Sequence, residues 1–171
     1  MENRIYVIRK LFAISYSVDV FLLCVLFALS FLIGGSTPER IVLTVFLIPS
    51  LFVLCELWSR KVVLDAQGIR LKKFLRKKDL RWHEITSVGA LVLSSRSYLL
   101  LTTTEGLVSI SNAYENFPHL LQDIIEHIDH EKIEEEVRQQ INSPEVRRSE
   151  IFKFWIAALV MLALIILKLF Y

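Results

Sequence analysis

Three long apolar runs, residues 11–33, 41–58 and 151–170, limit what this chain can fold into, because a helix built from any of them has no polar face to turn toward water. At about 1.5 Å per residue the first run extends about 35 Å as a helix, enough to cross a hydrocarbon layer about 30 Å thick. The second is shorter and carries Pro49 near its middle. Proline removes a backbone donor and crowds the carbonyl of Val45, so a kink of the kind membrane helices accommodate is expected there. The third has Lys153 and Lys168 near its ends, where long side chains reach the interface, with Trp155 near one end and Phe170-Tyr171 at the other. A mean hydropathy of +0.49 and a hydrophobic share of 54% are too high for a soluble chain of 171 residues, and the three runs are predicted membrane spans.

A cleavable signal peptide competes for the first run, since Arg4, Arg9 and Lys10 precede it and Gly34-Gly35-Ser36 follows. The run is long for such a signal, and the next apolar run begins after only residues 34–40, which favours a tight helical hairpin. Lys and Arg sit at the N-terminus, at Arg60 and Lys61, and at Arg147 and Arg148, whereas the short loop has Arg40 alone. Positive charge marks the cytoplasmic side, so the N-terminus and residues 60–150 are expected there and the C-terminus outside, in a multi-pass protein of the cell inner membrane. Cys24 and Cys55 both fall inside apolar runs, and no disulfide framework is implied.

Between the second and third runs the composition is mixed. Residues 60–81 hold nine Lys or Arg against Asp65 and Asp79, while residues 115–136 hold eight acids against Lys132 alone. Val62-Val63-Leu64, a turn at Gln67-Gly68 and the alternating Ile69-Arg70-Leu71-Lys72 predict a hairpin, and further strand signals cover 85–93, 98–104 and 107–111. Five to seven short antiparallel strands are expected. Phe117, Leu120, Leu121, Ile124, Ile125 and Ile128 then follow at helical spacing, with Asn116 placed as N-cap. The step from Ile128 to Ile133 turns the stripe by about 140°, so Ile133, Val137 and Ile141 belong to a second helix or lie beyond a bend, ending at Asn142-Ser143-Pro144. The expected layout is a helical hairpin over 1–58 (spans about 11–33 and 41–58), a domain over 59–130, a helical linker over 131–149 and a C-terminal span over 150–171.

Three stretches carry a resemblance: Leu64-Asp65-Ala66-Gln67-Gly68-Ile69 in the first hairpin, Leu80-Arg81-Trp82-His83-Glu84-Ile85-Thr86-Ser87-Val88 after the basic turn, and Asn116-Phe117-Pro118-His119-Leu120-Leu121 opening the helix. Together with strands capped by a C-terminal helix, they resemble a pleckstrin-homology-like (PH-like) domain in its bacterial membrane-linked version. The resemblance implies an antiparallel β half-barrel closed by a helix, an α+β domain that binds lipids or proteins without catalysis. Phosphoinositide-binding members place Lys and Arg around the first hairpin turn. Here that turn is Ala66-Gln67-Gly68, and the basic cluster Arg76-Lys77-Lys78 falls in the next connection.

No Gly-rich phosphate loop, HExxH or Ser elbow gives catalysis an anchor, so no enzyme is expected. His127 and His130, with Asp123 and Glu126 nearby, have helical metal-ligand spacing, but they also fit the solvated side of an amphipathic helix; no metal, cofactor or nucleic-acid partner is expected. Asp19 lies about 12 Å into the first span, where a carboxyl group faces a partner or water. With Glu56 and Lys153 near the same end it forms an expected intramembrane polar cluster, or alternatively an ion or proton path. Arg60, Lys61, Arg70, Lys72, Lys73, Arg76, Lys77 and Lys78 follow a span directly and are the expected lipid-surface contacts, unless the acidic stretch neutralises them within the domain. The expected function is a membrane-anchored interaction module holding a protein partner or anionic headgroups; the alternative is an accessory or assembly subunit of a transporter or other complex.

Overall fold

Helix α1 (Lys10–Leu32) ends where Gly34 lets it end: at φ +86° this glycine turns the chain left-handed, and Gly35 N–H donates to the Ser30 carbonyl at 2.8 Å. Ser36 Oγ then accepts from the Glu39 N–H at 3.4 Å, opening α2 (Thr37–Ser59) with Pro38 and Glu39 in its first turn. The second helix therefore starts before its apolar run. The loop expected over 34–40 shrinks to 33–36, because Thr37-Pro38-Glu39 form a helical turn rather than a connection. α2 continues through Pro49.

The computed structural model describes residues 4–93, 96–129, 132, 133, 137 and 149–170. The chain divides into two units, one of Lys10–Ser59 with Arg148–Tyr171 and one of Met1–Arg9 with Arg60–Arg147. The first holds α1, α2 and α4 (Ser149–Phe170), three helices long and apolar enough to cross a membrane. α1 packs against both others. Phe12 and Tyr16 meet Phe154 edge-on at 5.1 and 5.7 Å, and Leu26, Leu43 and Ile165 supply one buried side chain from each helix. Trp58 donates to Ser17 Oγ at 3.2 Å, Tyr16 to the Ser50 carbonyl at 3.3 Å, and Lys168 pairs with Glu39. Side chains such as Phe46, Ile48 and Leu159 point outward, as lipid-facing residues do.

Among the described residues the other unit contains two antiparallel sheets and helix α3 (Phe117–Ile125). The first sheet runs in the order β1 (Arg4–Val7), β2 (Lys61–Leu64), β3 (Gly68–Lys72), β4 (Lys77–Arg81); the second runs β5 (Ile85–Leu93), β6 (Arg96–Thr103), β7 (Gly106–Ser111). Alternation sets the faces: Val62, Leu64, Ile69, Leu71 and Leu80 are buried while their neighbours look outward. Gly68 is required where it stands, because a Cβ there would overlap the Leu80 carbonyl oxygen on β4. A 3-10 turn at Trp82–Glu84 links the sheets, and β5 bulges between Ile85 and Ser87.

α3 (Phe117–Ile125) buries Phe117, Leu120, Leu121 and Ile124. Asn116 occupies the N-cap position as expected, but its side chain makes no cap bond; its contribution is tolerance of φ +52°. After Ile125 the His127 and Ile128 N–H groups donate three residues back, and Ile133 bridges to Val88 beside β5. His130, Ile141, Asn142-Ser143-Pro144, Arg147, Arg148 and Tyr171 lie outside the described residues.

The sequence layout needs one correction. Residues 1–58 do not all belong to the hairpin: Arg4–Val7 is a strand, paired with β2 from Arg4↔Leu64 to Val7↔Lys61. The two apolar helices are thus an insertion between adjacent strands of one sheet. A strand was also not foreseen at Lys77–Arg81.

Candidate functional site

The strand register gathers the expected cations at one end of the first sheet. Val7, Lys61, Lys72 and Lys77 are direct neighbours across β1, β2, β3 and β4. Strands lie about 4.8 Å apart, so three like charges stand side by side on one face, an arrangement that destabilises a sheet. Beyond them the turn closes through a 2.8 Å bond from Lys73 N–H to the Arg76 carbonyl. Lys78 lies on the other face, beside buried Val62 and Leu71, and is half-buried.

Arg70 belongs to a different environment. Its guanidinium meets Asp79 at 3.1 Å and Asp65 at 3.7 Å, so its charge is balanced locally. Among the described residues Lys61, Lys72, Lys73, Arg76, Lys77 and Lys78 have no ion pair, and Arg60 is half-buried with contacts of its own. Within the described part of the acidic stretch, Asp123 pairs with Arg4, and Asp129 with Lys132 at 3.2 Å. At the opposite end of the sheet Asp65, Gln67, Gly68, Arg70, Asp79 and Arg81 line a cavity of about 190 Å³. Asp65 Oδ1 accepts the Gln67 and Gly68 N–H groups at 2.9 Å there, so that turn is built on a carboxylate.

Asp123 is a buried acid on an otherwise apolar helix face, at 5% exposure. It accepts from Arg4 and from the Tyr6 hydroxyl. Burial first, then the bond to and charge of Asp123, push the Tyr6 hydroxyl up from 10.0 to about 12. His127 Nδ1 lies 2.7 Å from the Asp123 carbonyl, and its ring stacks on Trp82 at 4.7 Å. Asp123 and His127 thus hold β1 and the linking turn against α3. Among the described residues no cluster of three metal-ligating side chains occurs.

Comparison with known proteins returns no matching family model, curated protein or solved structure. The geometry alone carries the functional reading.

In the helical unit Asp19 is buried at 7% exposure, and neither Glu56 nor Lys153 donates to its Oδ1, which has no hydrogen-bond partner. Ser15 Oγ, one turn earlier on the same face, is equally buried and unpartnered. Glu56 is half-buried near the end of α2, and Lys153 is exposed near the start of α4. Ser15 was missed in the sequence because a serine in an apolar run reads as neutral. Phe74 and Leu75 were also missed, although two apolar residues inside a run of cations are a legible signal.

Proposed function

We propose that the chain is a membrane-anchored, non-catalytic interaction module whose basic sheet end holds anionic lipid at the cytoplasmic surface of the inner membrane. The carrying observation is the row Lys61, Lys72 and Lys77: a folding sheet gains nothing from it, whereas an anionic surface offers each cation roughly 1 kcal/mol. Seven antiparallel strands in two sheets followed by a helix support the PH-like half-barrel reading. The cytoplasmic assignment rests on the positive charges beside the spans, and β1–β2 pairing is consistent with two crossings between those strands.

The test uses the full chain in nanodiscs of neutral or anionic lipid, with hydrogen exchange measured over residues 61–78. Anionic lipid at low salt should protect this segment, and physiological salt should weaken the protection, because surface charge is screened within about 10 Å at 0.1 M. A Lys61→Ser, Lys72→Ser, Lys77→Ser variant should lose it. Equal exchange in both lipids would remove the lipid-binding reading.

Ser15 Oγ and Asp19 Oδ1 favour a second reading, an accessory subunit whose partner supplies the missing polar contact. An unsatisfied buried polar group costs about 1–3 kcal/mol, so Asp19→Leu should raise the thermal stability of the purified chain in detergent. In the native membrane the same substitution should reduce recovery of a stoichiometric partner. Unchanged stability together with unchanged recovery would dismiss this role.

A further inference from the structure

The turn between β3 and β4 combines features that a water-facing hairpin does not need. Its tip is Phe74-Leu75, exposed at 41% and 73%, and Lys72, Lys73, Arg76, Lys77 and Lys78 flank it without an acid among residues 72–78. An exposed apolar tip invites association, and charge on both sides limits it to partners that present anions around an apolar interior. A bilayer with anionic headgroups has that layering. Lys73 and Arg76 are joined across the turn by a backbone bond, so the tip is held in shape before any partner arrives.

Covalent continuity points the same way. The row Val7, Lys61, Lys72, Lys77 marks one end of the sheet, and the turn projects from that end. Both connections to the apolar helices leave from this row: Ile8 and Arg9 separate Val7 from Lys10, where α1 begins, and Arg60 alone separates Ser59, where α2 ends, from Lys61. The other turn of this meander, at Asp65–Gly68, lies at the far end and carries an acid. We infer that the Lys73–Arg76 turn inserts Leu75 and Phe74 into the interfacial region of an anionic bilayer, its flanking cations resting among the headgroups. This deepens the lipid-surface reading and rests on it.

Depth distinguishes insertion from surface attraction. With Cys24 and Cys55 replaced by Ser in the full chain, a nitroxide is placed at Leu75→Cys or, as the far-end control, at Gln67→Cys, in nanodiscs of phosphatidylglycerol with phosphatidylcholine. The label at position 75 should relax preferentially with oxygen, which concentrates in lipid, and the label at 67 with a water-soluble nickel chelate. A Phe74→Ser variant labelled at position 75 should move toward the nickel-accessible state. Nickel access at 75 equal to that at 67, with residues 61–78 still protected by anionic lipid, would overturn insertion while leaving surface binding intact. Oxygen preference at 75 without lipid-dependent protection of residues 61–78 would remove the electrostatic reading and, with it, the anionic bilayer that the inference names. Oxygen preference lost in pure lipid and regained only in native membranes would replace the bilayer with a protein partner and overturn the inference.

Discussion

A chain lacking residues 1–8 is expected to keep its three apolar helices and lose the fold of its sheet unit. Those residues contribute a whole strand, the buried Ile8 at 4% exposure, and two of the groups that meet Asp123. They also clamp the entry to α3: Glu115 N–H donates to the Val7 carbonyl at 2.8 Å, and Ile8 bridges to Tyr114. Burying one large aliphatic side chain is worth about 1.5–3 kcal/mol, and stranding a buried carboxylate adds a similar loss. Against a typical total of about 5–15 kcal/mol the sum is decisive for a unit of this size. Segment 60–143 expressed alone should fail for the same reason. Joining residues 1–9 to Arg60 through a short Gly-Ser turn should restore folding, because Val7 and Lys61 are already paired neighbours. Amide protection in β2 and β3 reads the outcome. If the shortened chain protects those amides as the full chain does, β1 is an ornament and the two-part unit is wrong.

The sequence made some of this architecture legible and concealed the rest for physical reasons. Long apolar runs exposed the helices because lipid demands composition over a full crossing, and Gln67-Gly68 exposed the first hairpin because the chain must turn tightly there. β1 stayed hidden although Ile5, Tyr6, Val7 and Ile8 favour a strand, since its partner lies beyond two helices and four residues carry little periodic signal. β4 was read as a basic connection because Lys77-Lys78-Asp79-Leu80-Arg81 has a single apolar residue; that residue, Leu80, pairs with Ile69 of β3 on the buried face. The lysine row is a property of register, which spacing along one strand does not reveal. Asp123 looked like part of a solvated acidic face, and its burial follows from Arg4 and Tyr6, more than a hundred residues away in the chain.

Replacing Asp123 by Ala is expected to cost the sheet unit about 2–3 kcal/mol, most of it from hydrogen bonding to a charged acceptor in a buried position. Arg4 contributes little to that figure, because its side chain is 62% exposed and exposed ion pairs are worth about 0–1 kcal/mol. The central contact is therefore Tyr6 to Asp123, and alkaline pH tests it separately from the substitution. The hydroxyl of Tyr6 is raised from 10.0 to about 12 in the folded state, so folding favours its protonated form. Stability from this contact is fully present below pH 10 and is lost as pH rises through about 12, where the folded chain also releases the proton. Tyr6→Phe should weaken the unit at neutral pH and lessen its further decline over that alkaline interval. Asp123→Asn keeps an oxygen for the Tyr6 hydroxyl while removing the charge, and should fall between the wild-type chain and Asp123→Ala. Chemical denaturation of the sheet unit followed through Trp82, which stacks on His127 beside Asp123, measures all three. If Tyr6→Phe shows the same alkaline loss as the wild type, the contact does not govern that loss and the reading of Asp123 as the fastening point of β1 fails.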